Sequence, residues 1–390
     1  MAISKIQSDS ITDSAVTSDK ISGGAIGVSD LGTQVQGALG TRNLIINGDM
    51  SIAQRGTSTT GITAGNNFVI DRFYLGVSQV GTWSLTQDTD VPSGQGFANS
   101  LKATCTTAAT PTGTQQVFLS QNIEAQFCQH LKYGTSNAEK ITMSFWVKSN
   151  KTGNYIAWIL CDDGSTTNTN YVYSIDAADT WEKKTITFQG NTLQSIANDN
   201  GKGLQVRWTV ASGETYTSGT TLNGVWQAYD PADTYAGLTV NLADAINNYI
   251  NITGVQLEVG DTATPFEHRP YDMELARCQR YFYIADAYLG GSANYPSIGA
   301  GYNISSTESR ISVQYPVMMR AKPTLSYTGT LYILNSAGSG IAITSIASNY
   351  GNAMSGMVSF GVASGLTQGH GTVLITNNGS GQTFQASAEL

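Results

Sequence analysis

The chain has 390 residues, of which 40% are hydrophobic, only 12% are charged and 42 are glycine. This hydrophobic fraction is sufficient for packed cores, so the composition excludes a wholly disordered protein, and the length allows two or three domains. The formal net charge of −8 repels phosphate backbones and no cluster of Lys or Arg opposes it, which excludes nucleic acid as a partner.

The composition is also typical of an all-β chain, because the few charges accompany abundant Gly, Ser, Thr and Asn, which favour turns. The start of the chain lacks the features of a secretory signal, and no apolar run is long enough for a membrane helix. We therefore expect assembly in a cytoplasm without membrane insertion. Widely spaced cysteines without a CxxC pair predict reduced, mostly buried thiols and no metal or cofactor: Cys105, Cys128, Cys161 and Cys278.

Large aliphatic residues recur at every fifth position of the N-terminal segment, at Ile6, Ile11, Val16, Ile21, Ile26 and Leu31. A helix turns about 100° per residue and a strand alternates its faces, so neither brings this set to one side. A single chain supplies too little apolar area to order such a segment, which is therefore either disordered or wound around an axis shared between chains. The regularity of the spacing favours the shared axis.

The aliphatic spacing then changes to three or four residues, at Val28, Leu31, Val35 and Leu39. This spacing predicts a short amphipathic helix that ends at Gly40. We assign residues 1–42 to an N-terminal attachment stalk with this helix, in which the aliphatic residues from Ile6 to Val35 hold copies of the chain together.

Residues 43–270 consist of short segments of alternating polarity separated by turn-forming residues, beginning with NLIINGDMSIAQ as the first strand. This pattern is typical of a β-sandwich. In LQVRWTV, alternation predicts a core face and a solvent face: Leu204, Val206, Trp208 and Val210 on the first, and Gln205, Arg207 and Thr209 on the second.

A resemblance to a known family is carried by NLIINGDMSIAQRGTS, DRFYL, ITMSFWVKS, TWEKKTITF and ITGVQLEVGDTATPFEHRPYDMELARCQRYF. Together these segments, from about residue 43 to 283, resemble the β-sandwich module of tail-fibre and related structural proteins of tailed bacteriophages. Such modules are similar to jelly-roll carbohydrate-binding modules, whose first strand often contains Asn-Gly-Asp-aromatic, whereas Met50 occupies the aromatic position here. The opening SDSITDSAVTSDKI also resembles the repetitive stalks of phage fibres.

The spacing of Leu275, Cys278, Phe282 and Ala285 predicts a connector helix over 271–285. Residues 286–390 return to a β pattern and predict a small C-terminal β domain, the candidate receptor-binding tip. Its segment YPVMMRAKPTLSY resembles a segment of the C-terminal modules of phage fibres.

The titratable residues give no catalytic motif, so we expect no enzyme. None of the three histidines lies in a nucleophile or metal pattern. Asp162 and Asp163 are expected to form a turn rather than a glycosidase pair. Asn47, Asp49 and Glu258 have oxygen ligands that suit Ca²⁺, which related carbohydrate-binding sandwiches often hold, but turn capping by Asn47 and Asp49 is the favoured interpretation.

Aromatic side chains are candidate sugar-binding residues, because pyranose rings stack on flat rings. In ITMSFWVKS, a core-facing Phe145 leaves Trp146 beside Lys148 as an exposed platform. The alternative is burial of Trp146 under a loop or a neighbouring subunit. Candidates of the same kind in the terminal domain are Tyr302, Tyr315 and Tyr327.

These patterns and the resemblance predict an all-β virion protein with a jelly-roll-like sandwich, assembled in the host cytoplasm. The resemblance implies a homotrimeric tail fibre that attaches to other tail proteins through its N-terminus and binds a host-surface glycan without catalysis. One alternative is an architectural protein, such as a capsid decoration, knob or collar. A polysaccharide depolymerase is the other.

Replacing Ile11, Val16 and Ile21 together with Ser should convert the expected trimer into monomers, because these residues form the shared core. The sandwich should remain folded. Light scattering of the full-length protein measures the mass, and circular dichroism checks the β structure. A wild-type chain that is monomeric at micromolar concentration, or a triple variant that still assembles, would contradict the shared axis.

Overall fold

A computed structural model of the chain describes residues 42–286, 297–335, 338–376 and 381–390. The predicted stalk, with its aliphatic residues from Ile6 to Val35, lies outside the described residues and stays a prediction. Residues Asn43–Leu390 form one compact unit. No helix in the described ranges is both long and apolar enough to cross a bilayer.

The first part of this unit is a single antiparallel sheet of eleven strands that folds over itself into two layers. Its strands are β1 (Ser58–Phe68), β2 (Tyr74–Asp88), β3 (Ser100–Thr107), β4 (Gln116–Glu124), β5 (Ile141–Ser149), β6 (Gly153–Cys161), β7 (Thr167–Ile175), β8 (Glu182–Phe188), β9 (Lys202–Ser212), β10 (Gln227–Ala228) and β11 (Tyr249–Val259). The strand order is β10-β7-β6-β9-β4-β2-β3-β11-β5-β8, with β1 paired to β2. This arrangement confirms the predicted all-β sandwich.

The long strand β2 belongs to both layers. Its first residues, from Tyr74 to Val77, pair with β4, and its last residues, from Thr82 to Asp88, pair with β3. Between the two parts, Gln79 has a φ of 55° in the left-handed region. The sheet therefore turns within this strand, which carries the chain from one layer to the other.

Aromatic side chains from both layers meet in the core. The ring of Phe145 on β5 lies 5.8 Å from that of Trp208 on β9 and 5.2 Å from that of Tyr173 on β7. The core face predicted for LQVRWTV is confirmed, because its residues are fully buried: Leu204, Val206, Trp208 and Val210. All four cysteines are free and buried, as predicted.

The solvent face predicted for the same strand is wrong. Gln205 and Thr209 are 5% and 0% exposed, and Arg207 is half-buried. Residues 214–240 cross this side of the sheet, where they form a second apolar cluster with β6 that includes Trp158 and Tyr235. Alternation along one strand cannot reveal a cover supplied by a distant segment.

The predicted first strand, NLIINGDMSIAQ, is an irregular buried segment instead. Asn47 and Met50 have φ angles of 62° and 60°, so an extended strand cannot continue through them. Asn47 stabilises the turn, since its Oδ1 accepts from the Ile52 amide at 2.9 Å and its Nδ2 donates to the Ile52 carbonyl at 2.8 Å.

The predicted connector helix is shorter than expected. Helix α1 spans Tyr271–Gln279, and Phe282–Asp286 forms strand β12. The sequence FYI within β12 consists of strand-forming residues, which pair with the end of the chain in place of continuing the helix.

The terminal part of the unit contains a three-stranded sheet and a closed six-stranded barrel. The sheet has the order β12-β20-β15, with β15 at Thr324–Thr328 and β20 at Thr383–Ser387. The barrel comprises β13 (Ser297–Asn303), β14 (Glu308–Gln314), β16 (Leu331–Leu334), β17 (Gly340–Asn349), β18 (Ser355–Val362) and β19 (Gly371–Thr376). Strand β20 is thus the central strand of the small sheet, just before the chain ends.

Buried charges join the terminal part to the sandwich. The carboxylate of Glu389 pairs with Arg72, which is 2% exposed, and with Arg55 at 3.0 Å. On the sandwich side, the fully buried Glu124 accepts from Arg280 Nε at 2.9 Å and from the Tyr281 hydroxyl at 2.7 Å. These contacts, together with a hydrogen bond from Arg320 to the Asn200 carbonyl at 2.8 Å, are polar links between the two parts.

Glu389→Gln should lower the free energy of unfolding by about 3 kcal/mol, because it leaves the buried Arg72 guanidinium without its counter-charge. The matched control is Glu139→Gln, which removes an exposed pair with Lys132 and should cost less than about 1 kcal/mol. Denaturant titration of both variants measures the difference. Equal losses would contradict a structural role for the Glu389 cluster.

Asp71 should make stability depend on pH. Burial, opposed by the charge of Arg55, raises the pKa of Asp71 to about 6 from its ordinary 3.8. The folded state therefore binds this proton more tightly than the unfolded chain does. As pH rises from about 4 to about 6, the free energy of unfolding should fall by roughly 3 kcal/mol. Asp71→Asn should gain stability relative to wild type across this window. Denaturant titration of both proteins at several pH values measures the difference in their free energies of unfolding. A difference that does not change with pH would contradict the raised pKa of Asp71.

Candidate functional site

One outer side of the sandwich carries an open aromatic and cationic surface, which we call the Trp146 face. It is formed by strands β5 and β8 and by the residue that precedes β8, and it consists of Trp146, Lys148, Trp181, Lys183 and Thr185. In the antiparallel register, Trp146 lies directly opposite Lys183, and Ser144 lies opposite Thr185. Phe145 and Val147 of β5 are fully buried, so alternation directs the residues between and beyond them outward.

A loop of residues 89–99 covers the neighbouring strand β11 and bounds this face on one side. The Thr253 hydroxyl donates to the Asn99 carbonyl at 2.7 Å, and Asn251 Nδ2 donates to the Ser100 hydroxyl at 3.1 Å. Both Asn251 and Thr253 are fully buried as a result. The open surface is therefore restricted to the β5 and β8 side.

Trp146 is half-buried and is held at one edge. A Cβ added to Gly254, whose φ is +61°, would lie 2.6 Å from Phe97 Cζ and 3.1 Å from Trp146 Cδ1. Only glycine lets both rings approach the β11 backbone so closely. The ring centroid of Phe97 lies 5.1 Å from that of Phe266, so Gly254 has the edge of the indole on one side and an aromatic cluster on the other.

Lys148 forms an internal ion pair, which the sequence did not indicate. Its ammonium contacts the Asp90 carboxylate, which also accepts from Trp181 Nε1 at 3.0 Å. Burial alone would raise the pKa of Asp90, but the hydrogen bonds from Lys148 and Trp181 outweigh it and lower that pKa. Lys148 therefore fixes the position of the loop and of Trp181, and its charge is balanced.

Besides Thr185, Trp181 and Lys183 are the members of this face that the sequence interpretation missed. Lys148 Nζ lies 5.7 Å from the centroid of the Trp181 ring. Lys183 is exposed and has no carboxylate partner within the described residues. Both belong to the segment TWEKKTITF, but only the pairing of β8 with β5 shows that Lys183 lies beside Trp146, and only the contact with Asp90 shows that Trp181 lies beside Lys148.

The opposite outer side of the sandwich is closed. The Arg207 guanidinium lies 3.9 Å from the ring centroid of Phe118 and 4.6 Å from that of Trp158, and it donates to the Tyr235 hydroxyl at 2.9 Å. Trp158 is 2% exposed and Tyr235 is fully buried. These aromatic rings pack the cover of residues 214–240 onto the sheet and are not accessible to a ligand.

The three candidate tyrosines of the terminal domain differ in exposure. Tyr302 on β13 is 45% exposed. Tyr327 on β15 is half-buried and packs against the terminal core. Tyr315 is 7% exposed, and burial raises the pKa of its hydroxyl. Tyr315 is part of the barrel core, so the structure removes it from the binding candidates.

The carboxylates considered for catalysis or calcium have local partners. Asp162 pairs with Lys202 at 2.7 Å, and Asp163 accepts from the Ala197 amide at 2.6 Å. Glu258 accepts from the Thr264 amide at 2.8 Å. Asp49 Oδ1 accepts from the Ser51 hydroxyl at 2.9 Å, as in a capped turn. Across the described residues, no group of three or more His, Cys, Asp or Glu is placed to hold a metal ion.

Comparison with known proteins finds no matching family model and no matching curated protein. Among solved structures, the enzymatically active domain of bacteriophage CBA120 tailspike protein 4 is 13% identical over 56% of this chain, with a TM-score of 0.31. The chain spans 21% of that tailspike chain. A CBM4 structure is 15% identical over 55% of this chain and 98% of its own, with a TM-score of 0.28. The CBM22-1 xylan-binding domain of Paenibacillus barcinonensis Xyn10C is 11% identical over 57% of this chain and 96% of its own, also with a TM-score of 0.28. Similarity at this level does not transfer a function.

Gly254→Ala should destabilise the protein more than Gly65→Ala. Both glycines have positive φ, at +61° and +78°, so both variants bear a backbone cost of about 1 kcal/mol. A Cβ at Gly65 meets nothing within 4 Å, whereas at Gly254 it displaces Phe97 and Trp146, at a further cost of about 1–3 kcal/mol. Denaturant titration compares the variants, and equal losses would show that the rings are not held against Gly254.

Proposed function

We propose that this chain is a non-catalytic glycan-binding protein and that the Trp146 face is its binding surface. The observation that carries the proposal is a partly exposed indole that packs at one edge against Gly254 and is flanked by polar groups. A sugar ring can stack on Trp146, while Thr185 and Lys183 are in position to hydrogen-bond its hydroxyl groups. The closed opposite side of the sandwich directs binding to this face.

In this proposal the chain acts as the adhesin of a tailed-phage fibre. Its support is the resemblance of the sandwich segments and of the N-terminal repeat to phage fibre proteins. The chain would form a homotrimer, attach through its N-terminus to other tail proteins, and present the sandwich to a host-surface glycan. Several copies on one particle would make weak individual sites effective.

Of the two candidate locations, the sandwich and the terminal domain, the proposal takes the sandwich. The terminal tyrosines do not form one surface, since Tyr315 is buried and Tyr327 is half-buried. Tyr302 remains as the exposed aromatic candidate of that domain. The two locations are separable by substitution.

An architectural virion protein is the second candidate function. It is favoured by exposed apolar side chains on the terminal domain, of the kind that protein partners cover. These side chains, with their exposed fractions, are Met318 (55%), Tyr350 (65%), Met354 (54%) and Met357 (46%). Labelled particles viewed by electron microscopy separate a tail-distal location from a capsid location.

Trp146→Ala should lower the affinity for host-surface polysaccharide by about tenfold or more, because the stacking surface is lost. Tyr302→Ala is the matched control and should bind as wild type. Calorimetric titration measures both, with the denaturation midpoint as a check of folding. Undiminished binding by Trp146→Ala would contradict the proposed face, and a loss confined to Tyr302→Ala would place the site in the terminal domain. An assay for new reducing ends tests the depolymerase alternative.

A further inference from the structure

We infer that the glycan bound by the Trp146 face is anionic and that Lys183 binds its acidic group. This inference rests on the proposed function and names the class of ligand. The ligand class is a polysaccharide whose sugar units carry an anionic substituent, of which the carboxylate of a uronic acid is the simplest. Lys183 would be a specificity-determining residue, and Trp146 would supply the stacking surface for charged and neutral sugars alike.

Position is the first argument. Trp146 and Lys183 are directly opposed on β5 and β8, and opposed residues of an antiparallel pair have Cβ atoms about 4.5–5.5 Å apart. The lysine stem is flexible, and Lys183 is exposed. Its ammonium can therefore reach a substituent at the edge of a ring that is stacked on the indole.

Charge balance is the second argument. The chain has 28 acidic and 20 basic residues, so carboxylate partners are in excess. Seven other lysines form ion pairs with carboxylates: Lys102, Lys132, Lys140, Lys148, Lys151, Lys184 and Lys202. Lys183 has no such partner within the described part of the chain. An uncompensated ammonium beside an open aromatic ring attracts an anion despite the negative charge of the whole protein.

The neighbouring lysine does not share this role. Lys148 lies on the same face, but Asp90 neutralises its charge and only 12% of its side chain is exposed. Lys183 is adjacent to Glu182, whose carboxylate is bound by Lys184 at 2.5 Å. The local surplus of positive charge on the Trp146 face is therefore the charge of Lys183.

The test uses the full-length protein and pairs of oligosaccharides that differ only in charge. Oligogalacturonates in the free-acid form and their fully methyl-esterified forms have the same backbone, and a sulfated oligosaccharide with its neutral parent forms a second pair. Affinities are measured by calorimetric titration at two salt concentrations for the wild type, Lys183→Gln, Lys140→Gln and Trp146→Ala. Lys140→Gln is the charge-matched control, since Lys140 lies six residues before Trp146, about 20 Å along the strand.

The wild type should bind at least one anionic form about threefold to tenfold more tightly than its neutral counterpart, and salt should reduce this advantage. Lys183→Gln should abolish the advantage, because its affinity for the anionic form should fall by about threefold to tenfold more than its affinity for the neutral form. Lys140→Gln should retain it. The pair that shows the advantage distinguishes a carboxylate ligand from a sulfate ligand.

The anionic inference would be overturned by either of two results. The wild type could bind both forms of each pair with equal affinity, or Lys183→Gln could lower the affinity for both forms by the same factor. Trp146→Ala separates this result from a failure of the proposed function. If Trp146→Ala weakens binding of every form that the wild type binds, glycan binding stands without the charge preference. If Trp146→Ala changes none of these affinities, or if the wild type binds no member of either pair, both the proposed function and the anionic inference are contradicted.

Discussion

The structure depends on a buried ion cluster that the last residues of the chain complete. Arg72 is almost fully buried, and its guanidinium lies 3.4 Å from the ring centroid of Tyr281. Its counter-charge is Glu389, which is 317 residues away in the sequence. A buried guanidinium without a partner is strongly unfavourable, so the sandwich requires the chain terminus in order to be fully stabilised. The terminal domain is thus a structural component of the sandwich as well as a separate barrel.

The same junction explains why helix α1 is short. The carbonyl of Tyr281 accepts from the Ala388 amide at 2.7 Å, and β12 then pairs along β20. Cys278 and Tyr281 pack with Ile46 and Ile52 of the irregular first segment. The segment between the two β regions is therefore fixed by contacts on both sides and does not serve as an independent linker.

The two outer sides of the sandwich differ in exposure because different segments lie over them. Residues 214–240 close one side and use its aromatic residues, among them Trp158, for packing. The loop of residues 89–99 covers β11 on the other side and leaves Trp146 partly exposed and Lys183 exposed. The contacts of Asp90 with Lys148 and Trp181 hold this loop in place. Binding at the Trp146 face would need no rearrangement of the sheet, since the indole is already fixed.

The sequence by itself determined the local features of this protein. Alternation of period two placed Trp208 in the core and Phe145 on the face of its strand opposite to Trp146, because successive side chains of a strand point to opposite faces. It also placed Trp146 and Lys148 on one side of β5. The tertiary structure alone decided which of these side chains are available. The burial of Tyr315, the pairing of Lys148 with Asp90 and the position of Lys183 beside Trp146 all depend on contacts between segments far apart in the chain. Such contacts are set by strand order and register, which a local pattern does not encode.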